Sequence, residues 1–194
     1  EFWYIKSRLI LMLNRYGKVR EVKALENFKT IIDNILMTSE NKALSYETRY
    51  LYYHIYSAYY FGIGDYVNSY SYMNKHLQLI ESKTEMIQDE PNKYFAVLSN
   101  MIYLCSQLNK QKEIPAWLQK LRNISTVVGK KMTEDLAIKL FSTSMSAELS
   151  LYIQSGRFAE ALNLVEPIEA GLKKFRGAMS KVREAYFYFN IAVV

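Results

Sequence analysis

Two histidines, one cysteine and the adjacent carboxylates of Asp89 and Glu90 are side chains of this 194-residue sequence that invite a chemical role. Imidazoles hold a divalent metal when Cys or carboxylate ligands complete the set at ligand spacing. His54 and His76 have no such companions, so they read as structural histidines and no metal site is expected. Cys105, between Leu104 and Ser106 in an apolar stretch, is the single cysteine. A lone thiol excludes an internal disulfide and a cysteine-based metal cluster, and a buried thiol suits a reducing compartment. Asp89-Glu90 reads as a charge pair at a helix start. The sequence has no Gly-rich phosphate loop, no nucleophile elbow and no His-Glu-x-x-His. No enzymatic activity and no cofactor are therefore expected. Asn123-Ile124-Ser125 fits a glycosylation pattern that carries meaning only in a secreted protein.

The elements that would position these residues are helices. Half of the residues are apolar, enough for a core, while seven Gly and three Pro leave few turn clusters of the all-β kind. No uncharged apolar run approaches the roughly 18 residues of a bilayer span, and Glu1-Phe2-Trp3-Tyr4 does not resemble a secretory signal. A cytoplasmic location and no membrane insertion are the resulting expectations. The net charge of +6 is spread over Lys18 to Lys23, Lys110 to Arg122, Lys130-Lys131 and Lys173 to Arg183. Basic faces so dispersed are ordinarily solvated helix surface.

An internal repeat organises the chain. Tyr16-Gly17-Lys18-Val19, Ile63-Gly64-Asp65-Tyr66, Leu108-Asn109-Lys110-Gln111 and Ser155-Gly156-Arg157-Phe158 each close one apolar-periodic segment and open another. Counted at Gly17, Gly64, Asn109 and Gly156, the spacings are 47, 45 and 47 residues. Gly and Asn are the residues that take a left-handed conformation where one helix ends and its antiparallel partner begins. A period near 46 holds two helices of roughly 17 to 22 residues with short connections. First helices are expected at about 1 to 15, 46 to 62, 92 to 108 and 133 to 154, and second helices at about 19 to 38, 66 to 83, 112 to 127 and 158 to 175. These form pairs 1–38, 46–83, 92–127 and 133–175, with an unpaired last helix over 178–194, about nine helices in one array. Phe158, Ala161, Leu162, Val165, Ile168, Leu172 and Phe175 form an expected buried stripe. Asp65 is an expected helix cap, Pro91 and Pro115 are expected in first turns, and Pro167 is expected to kink its helix.

The segment from Tyr152 to Leu162 resembles the tetratricopeptide core: Tyr152, then Gly156, Phe158 and Ala161 at the signature spacings. Tyr60, Gly64 and Tyr66 repeat the first three positions, with Ser69 in place of the alanine. Gly17 and Val19 match loosely, and the third pair offers Cys105, Asn109 and Gln111. HEAT and armadillo arrays, with periods of about 40 to 47, are the rival by length. The Gly-x-aromatic-x-x-Ala signature of a tight turn and close helix approach favours the tetratricopeptide reading, and the rigid register of pentatricopeptide RNA readers is missing. The resemblance implies an all-α, right-handed superhelical stack of antiparallel hairpins, an α-solenoid with long repeats.

It also implies a protein- or peptide-binding scaffold, of the kind that serves as the sensor or assembly region of a larger regulatory protein. First helices would line the concave face. Carried over by distance from the turn residue, the groove positions are His54, Ala58 and Phe61, with Tyr50 one turn earlier; then Ser99, Tyr103 and Ser106; then Thr143, Ser146 and Ser150. Small hydroxyls mixed with Tyr suit a groove that hydrogen-bonds a peptide and stacks its apolar side chains. The same small residues also suit close backbone packing, and exposure decides between the two. The ten tyrosines between Tyr46 and Tyr72 are expected mostly as interhelix packing with the hydroxyl reaching water, and a few as partner contacts. Ala185 to Val194 is apolar and reads as a first helix lacking its partner, so the chain is expected to continue beyond Val194 or to self-associate there. A nucleic-acid-binding array using the basic surface is the alternative function.

Overall fold

Local signals mark where several of the helices start and stop. The computed structural model describes residues 1–16 and 22–194. The turn expected at Gly17, with Val19 and the start of the basic run at Lys18, lies outside the described residues. Among the described residues the regular structure is entirely helical, with eleven α-helices and four single 3₁₀ turns. The helices are α1 (Phe2–Tyr16), α2 (Val22–Ile32), α3 (Tyr46–Gly62), α4 (Tyr66–Glu81), α5 (Thr84–Asp89), α6 (Pro91–Gln107), α7 (Ile114–Val128), α8 (Glu134–Gln154), α9 (Phe158–Leu162), α10 (Val165–Lys174) and α11 (Lys181–Ile191). Two of these exceed the nine expected. One is α5, a short helix in a connection read as loop, and the other arises where the helix expected over 158–175 divides into α9 and α10.

Three hairpin turns share one geometry. Gly64, Asn109 and Gly156 take φ values of 81°, 54° and 68°, the left-handed region anticipated from residue type. In each case the next residue donates its N–H to the carbonyl five positions back: Asp65 to Tyr60 at 2.9 Å, Lys110 to Cys105 at 2.8 Å and Arg157 to Tyr152 at 2.8 Å. That long-reaching bond satisfies a carbonyl otherwise orphaned at the helix end. Starts are equally explicit. Ser45 and Thr48 form a reciprocal capping box on α3, and the Asp65 carboxylate accepts the Asn68 N–H at 3.0 Å on α4. Pro91 is the first residue of α6, and Pro115 lies in the first turn of α7.

Pro167 does more than kink its helix. Having no N–H, it cannot donate to the carbonyl of Asn163, and its ring crowds that carbonyl. The chain breaks at Asn163-Leu164, leaving Pro167 third in α10. The expected stripe is corrected as a result. Ala161, Ile168, Leu172 and Phe175 are buried, but Phe158 and Leu162 are exposed, because α9 no longer continues the line of α10. The second helix of the first pair also ends earlier than expected, at Ile32. Asn34 then caps a separate 3₁₀ turn, its side chain accepting the Leu36 N–H at 2.9 Å.

The chain divides into two compact units, the first comprising Glu1–Asp89 with Tyr103–Lys110 and the second Glu90–Ile102 with Gln111–Val194. In the first, α3 packs on its hairpin partner α4 and also on α1 and α2. Its core joins Phe2, Ile5 and Leu9 of α1, Phe28 and Ile31 of α2, and Leu51, Tyr52, Ile55 and Tyr59 of α3. In the second, α8 packs on α7, α9 and α11, around Ile138, Leu149, Ala161, Ile168, Leu172, Phe175 and Phe187.

Candidate functional site

On α3, Tyr50, His54, Ala58 and Phe61 fall at steps of four, four and three residues, which places them on one face at 3.6 residues per turn. All four are half-buried. At one end of this stripe α4 brings His76 against them. The Tyr50 and His76 rings meet edge to face with centroids 4.3 Å apart, and His54 lies 5.7 Å from His76. The two histidines, distant in sequence, thus share one aromatic cluster. Loss of water around His54, with the Lys6 charge adding to it, lowers its pKa to about 4, so its imidazole is neutral at pH 7. Among the described residues no group of three or more His, Cys, Asp or Glu side chains could hold a metal ion.

At the other end of the stripe Phe61 meets Tyr66 of α4 at 6.0 Å and Tyr103 of α6 at 5.6 Å. Tyr103 keeps 40% of its surface exposed and is the one exposed residue of the ten groove candidates. Ser99 and Ser106 are half-buried, and the Ser99 hydroxyl bonds back to the Phe95 carbonyl at 2.8 Å. Thr143, Ser146 and Ser150 lie along one face of α8, also half-buried, and Ser150 shares a 2.8 Å hydrogen bond with the Tyr186 hydroxyl of α11. The geometry therefore joins Tyr50 to His54 and Phe61 to Tyr103. Two of the serine hydroxyls, on Ser99 and Ser150, already have partners within the protein.

None of the ten tyrosines of the tyrosine-rich segment is exposed, and rings of that segment pack on one another. Tyr56, Tyr60 and Tyr72 stack with centroids 4.8 to 6.0 Å apart. Two of the hydroxyls end on protein. Tyr53 donates to the Glu40 carboxylate and Tyr56 to the Met37 carbonyl, both in the connection between α2 and α3. Glu40 also pairs with Lys75 at 3.0 Å, and its pKa is lowered by the Tyr53 hydrogen bond and by Lys75. Burial, reinforced by Glu40, pushes the Tyr53 phenol up to about 12.

Two surface clefts are lined by none of the ten candidates. One, of about 650 Å³, runs along α7 and is lined by Gln119, Asn123, Thr126, Lys120, Arg122 and Ala116. The other, of about 310 Å³, lies between α1 and α2 and is lined by Arg8, Leu11, Met12, Arg15, Asn27 and Thr30. The sequence carried a signal for the second. Arg8, Leu11 and Arg15 stand at i, i+3 and i+7, a basic and apolar stripe beside the core-facing Ile5, Leu9 and Met12. No helix among the described residues is long and apolar enough to cross a membrane. No family model, curated protein or solved structure matches the chain.

Proposed function

We propose that the chain is a polypeptide-binding scaffold whose long hairpins stack in the tetratricopeptide manner, with first helices offering the contact face. The observation that carries this reading is the aromatic ledge at the ends of α3 and α6, where Tyr103 stands partly open beside Phe61, which also meets Tyr66. Tyrosine presents a large rigid contact area at little entropic cost, with a hydroxyl for orientation. Three left-handed turns with the same five-residue backbone bond support the repeat that defines the face. The test is capture of partners by the full chain, compared with Tyr103→Ala plus Ser146→Arg. A partner held by the wild type and lost by the variant supports the reading, and equal recovery by both overturns the site.

A polyanion is the second reading, favoured by the cleft on α7 that contains Lys120 and Arg122. Arg122 already pairs with Glu148 of α8, which reduces the charge it offers to a nucleic acid. Titration of single-stranded RNA and duplex DNA at several salt concentrations decides this: a steep salt slope favours nucleic acid, and no binding at low salt removes it.

A further inference from the structure

The outer side of α11 lies outside the α3 and α6 face of the proposed function, and it carries apolar side chains at a symmetric spacing. Val182, Tyr186, Phe189 and Val193 follow one another at steps of four, three and four residues. At 3.6 residues per turn these steps keep all four on one side of the helix, opposite Phe187, which is fully buried in the second core. The turn after α11 continues the stripe, the Val193 N–H donating to the Asn190 carbonyl at 3.2 Å. Val182 exposes 81% of its surface, Phe189 70% and Val193 51%, while Tyr186, whose hydroxyl is bonded to Ser150, exposes 38%. With the exposed Ala185 beside them they form an apolar patch on the order of 400 to 500 Å². Patches of this size usually mark a contact surface.

We propose that this patch is the interface of a symmetric dimer, in which α11 of a second copy lies antiparallel across the first. Steps of four, three and four read the same in both directions. A two-fold axis between Tyr186 and Phe189 therefore sets Val182 against Val193 of the second copy, and Tyr186 against Phe189 of the second copy. Each contact then occurs twice, as an isologous interface requires. A stripe that matches itself selects a second copy over a segment of other sequence. The antiparallel arrangement also brings the exposed Arg183, in the first turn of each α11, toward the last-turn carbonyls of the other, where positive charge is favourable. Two such patches bury about 1,000 Å² together, at the low end for a specific interface, so a weak dimer is expected.

The test is sedimentation equilibrium of the full chain over about 1 to 300 µM, the range in which a weak interface of this size forms. The average mass should rise from 22.8 kDa toward twice that value and no further. Phe189→Glu should weaken the dimer about tenfold or more, because it sets a carboxylate against Tyr186 of the other copy in both symmetric contacts. Val182→Glu and Val193→Lys should each weaken it, and the two together in one chain should recover most of the loss. Within one copy these positions stand about 16 Å apart along the helix and cannot pair, so recovery reports the antiparallel register. All three positions are exposed, Glu near the start of α11 and Lys near its end suit the helix dipole, and circular dichroism checks that each variant keeps its helices. Tyr103→Ala should leave association unchanged, which separates this interface from the α3 and α6 face. A chain monomeric throughout the range, growth past the dimer, equal association in Phe189→Glu, a double variant no tighter than the single ones, or loss on Tyr103→Ala would each overturn the proposal.

Discussion

Beside its apolar residues the first compact unit buries three phenols and an imidazole, where the second buries one phenol, Tyr94, among phenylalanine, aliphatics and very small residues. In the first, Tyr52, Tyr53, Tyr59 and His76 lie in or beside the core. Burying a polar head costs free energy unless it finds a partner. Tyr53 and Tyr56 find theirs in the connection ahead of α3, through Glu40 and the Met37 carbonyl. The tyrosines therefore pin a connector as well as filling space. In the second unit Phe141, Phe175 and Phe187 cluster at centroid distances of 5.5 and 5.7 Å around Phe141. The helices approach there because Ala161 and Gly171 carry almost no side chain. Directed hydrogen bonds hold the connector of the first unit, and close steric fit at Gly171 holds the phenylalanine cluster of the second.

The largest predicted effect tests how separable those two cores are. Phe28 and Phe187 are both fully buried, one in each unit, and truncating either to Ala should cost about 3 to 5 kcal/mol. Each unit also contains one tryptophan, Trp3 in the first and Trp117 in the second. With Trp3→Phe or Trp117→Phe as background, urea unfolding followed by the remaining indole reports one unit at a time. Phe187→Ala is expected to move the Trp117 transition further than the Trp3 transition, and Phe28→Ala the reverse. Identical shifts would mean that the two cores unfold as one.

Acid should distinguish the units next, because both histidines belong to the first. The folded His54 pKa of about 4 lies below its ordinary 6.5, so the unfolded chain takes up the proton more readily between these values. The stability from neutral His54 is complete above pH 6.5 and is lost as pH falls toward 4. Each tenfold difference in proton affinity between the folded and unfolded chain is worth about 1.4 kcal/mol, so the loss is at most about 3.5 kcal/mol. Urea midpoints from pH 7 to 4 should fall more steeply for the Trp3 transition, and His54→Gln should flatten that slope. A slope unchanged by the substitution would assign the acid sensitivity to other groups.

Gly171 is the steric counterpart. A Cβ built there would stand 2.0 Å from the Phe141 ring, which must move to admit it. Overpacking of this kind costs about 1 to 3 kcal/mol, partly offset by the roughly 1 kcal/mol that Ala gains over Gly in a helix. Gly171→Ala is expected to destabilise the second unit, and Phe141→Leu in the same chain to recover part of the loss. Additive losses in the urea midpoints would show that the ring is not the obstacle.

What could be read ahead of the structure follows the range of the forces involved. Turn residues act locally, so Gly64, Asn109 and Gly156 announced their left-handed bonds, and Asp65, Pro91 and Pro115 their helix starts. The break before Pro167 was visible as strain but not in extent, because the two exposed positions, Phe158 and Leu162, depend on where α9 comes to rest. The meeting of His54 with His76 follows from the α3 and α4 register, which residue types alone do not fix. The hydroxyl contacts to Glu40 and Met37 were hidden for the same reason, since a connector has no periodicity to reveal its path. Exposure of the groove candidates on α8 is set by α11 as well, through Ser150 and Tyr186.

The smallest effect offers the sharpest comparison of the two hairpins. Ser69 occupies the position filled by Ala161 in the second unit, and both are fully buried. The Ser69 hydroxyl donates to the Ser57 carbonyl, twelve residues earlier, at 2.8 Å. The residue at the same separation from Ala161 is Leu149, also fully buried, and the turns between, at Gly64 and Gly156, have matching bonds. If α9 crosses α8 as α4 crosses α3, a hydroxyl placed on Ala161 meets the Leu149 carbonyl. Ala161→Ser is then expected to cost less than about 1 kcal/mol, and Ser69→Ala about 1 kcal/mol, the ordinary net worth of one hydrogen bond. An unpaired buried hydroxyl would instead cost about 1 to 3 kcal/mol. A Trp117-reported loss near the upper value for Ala161→Ser would show that the break ahead of Pro167 has turned α9 away from the crossing that α4 makes on α3.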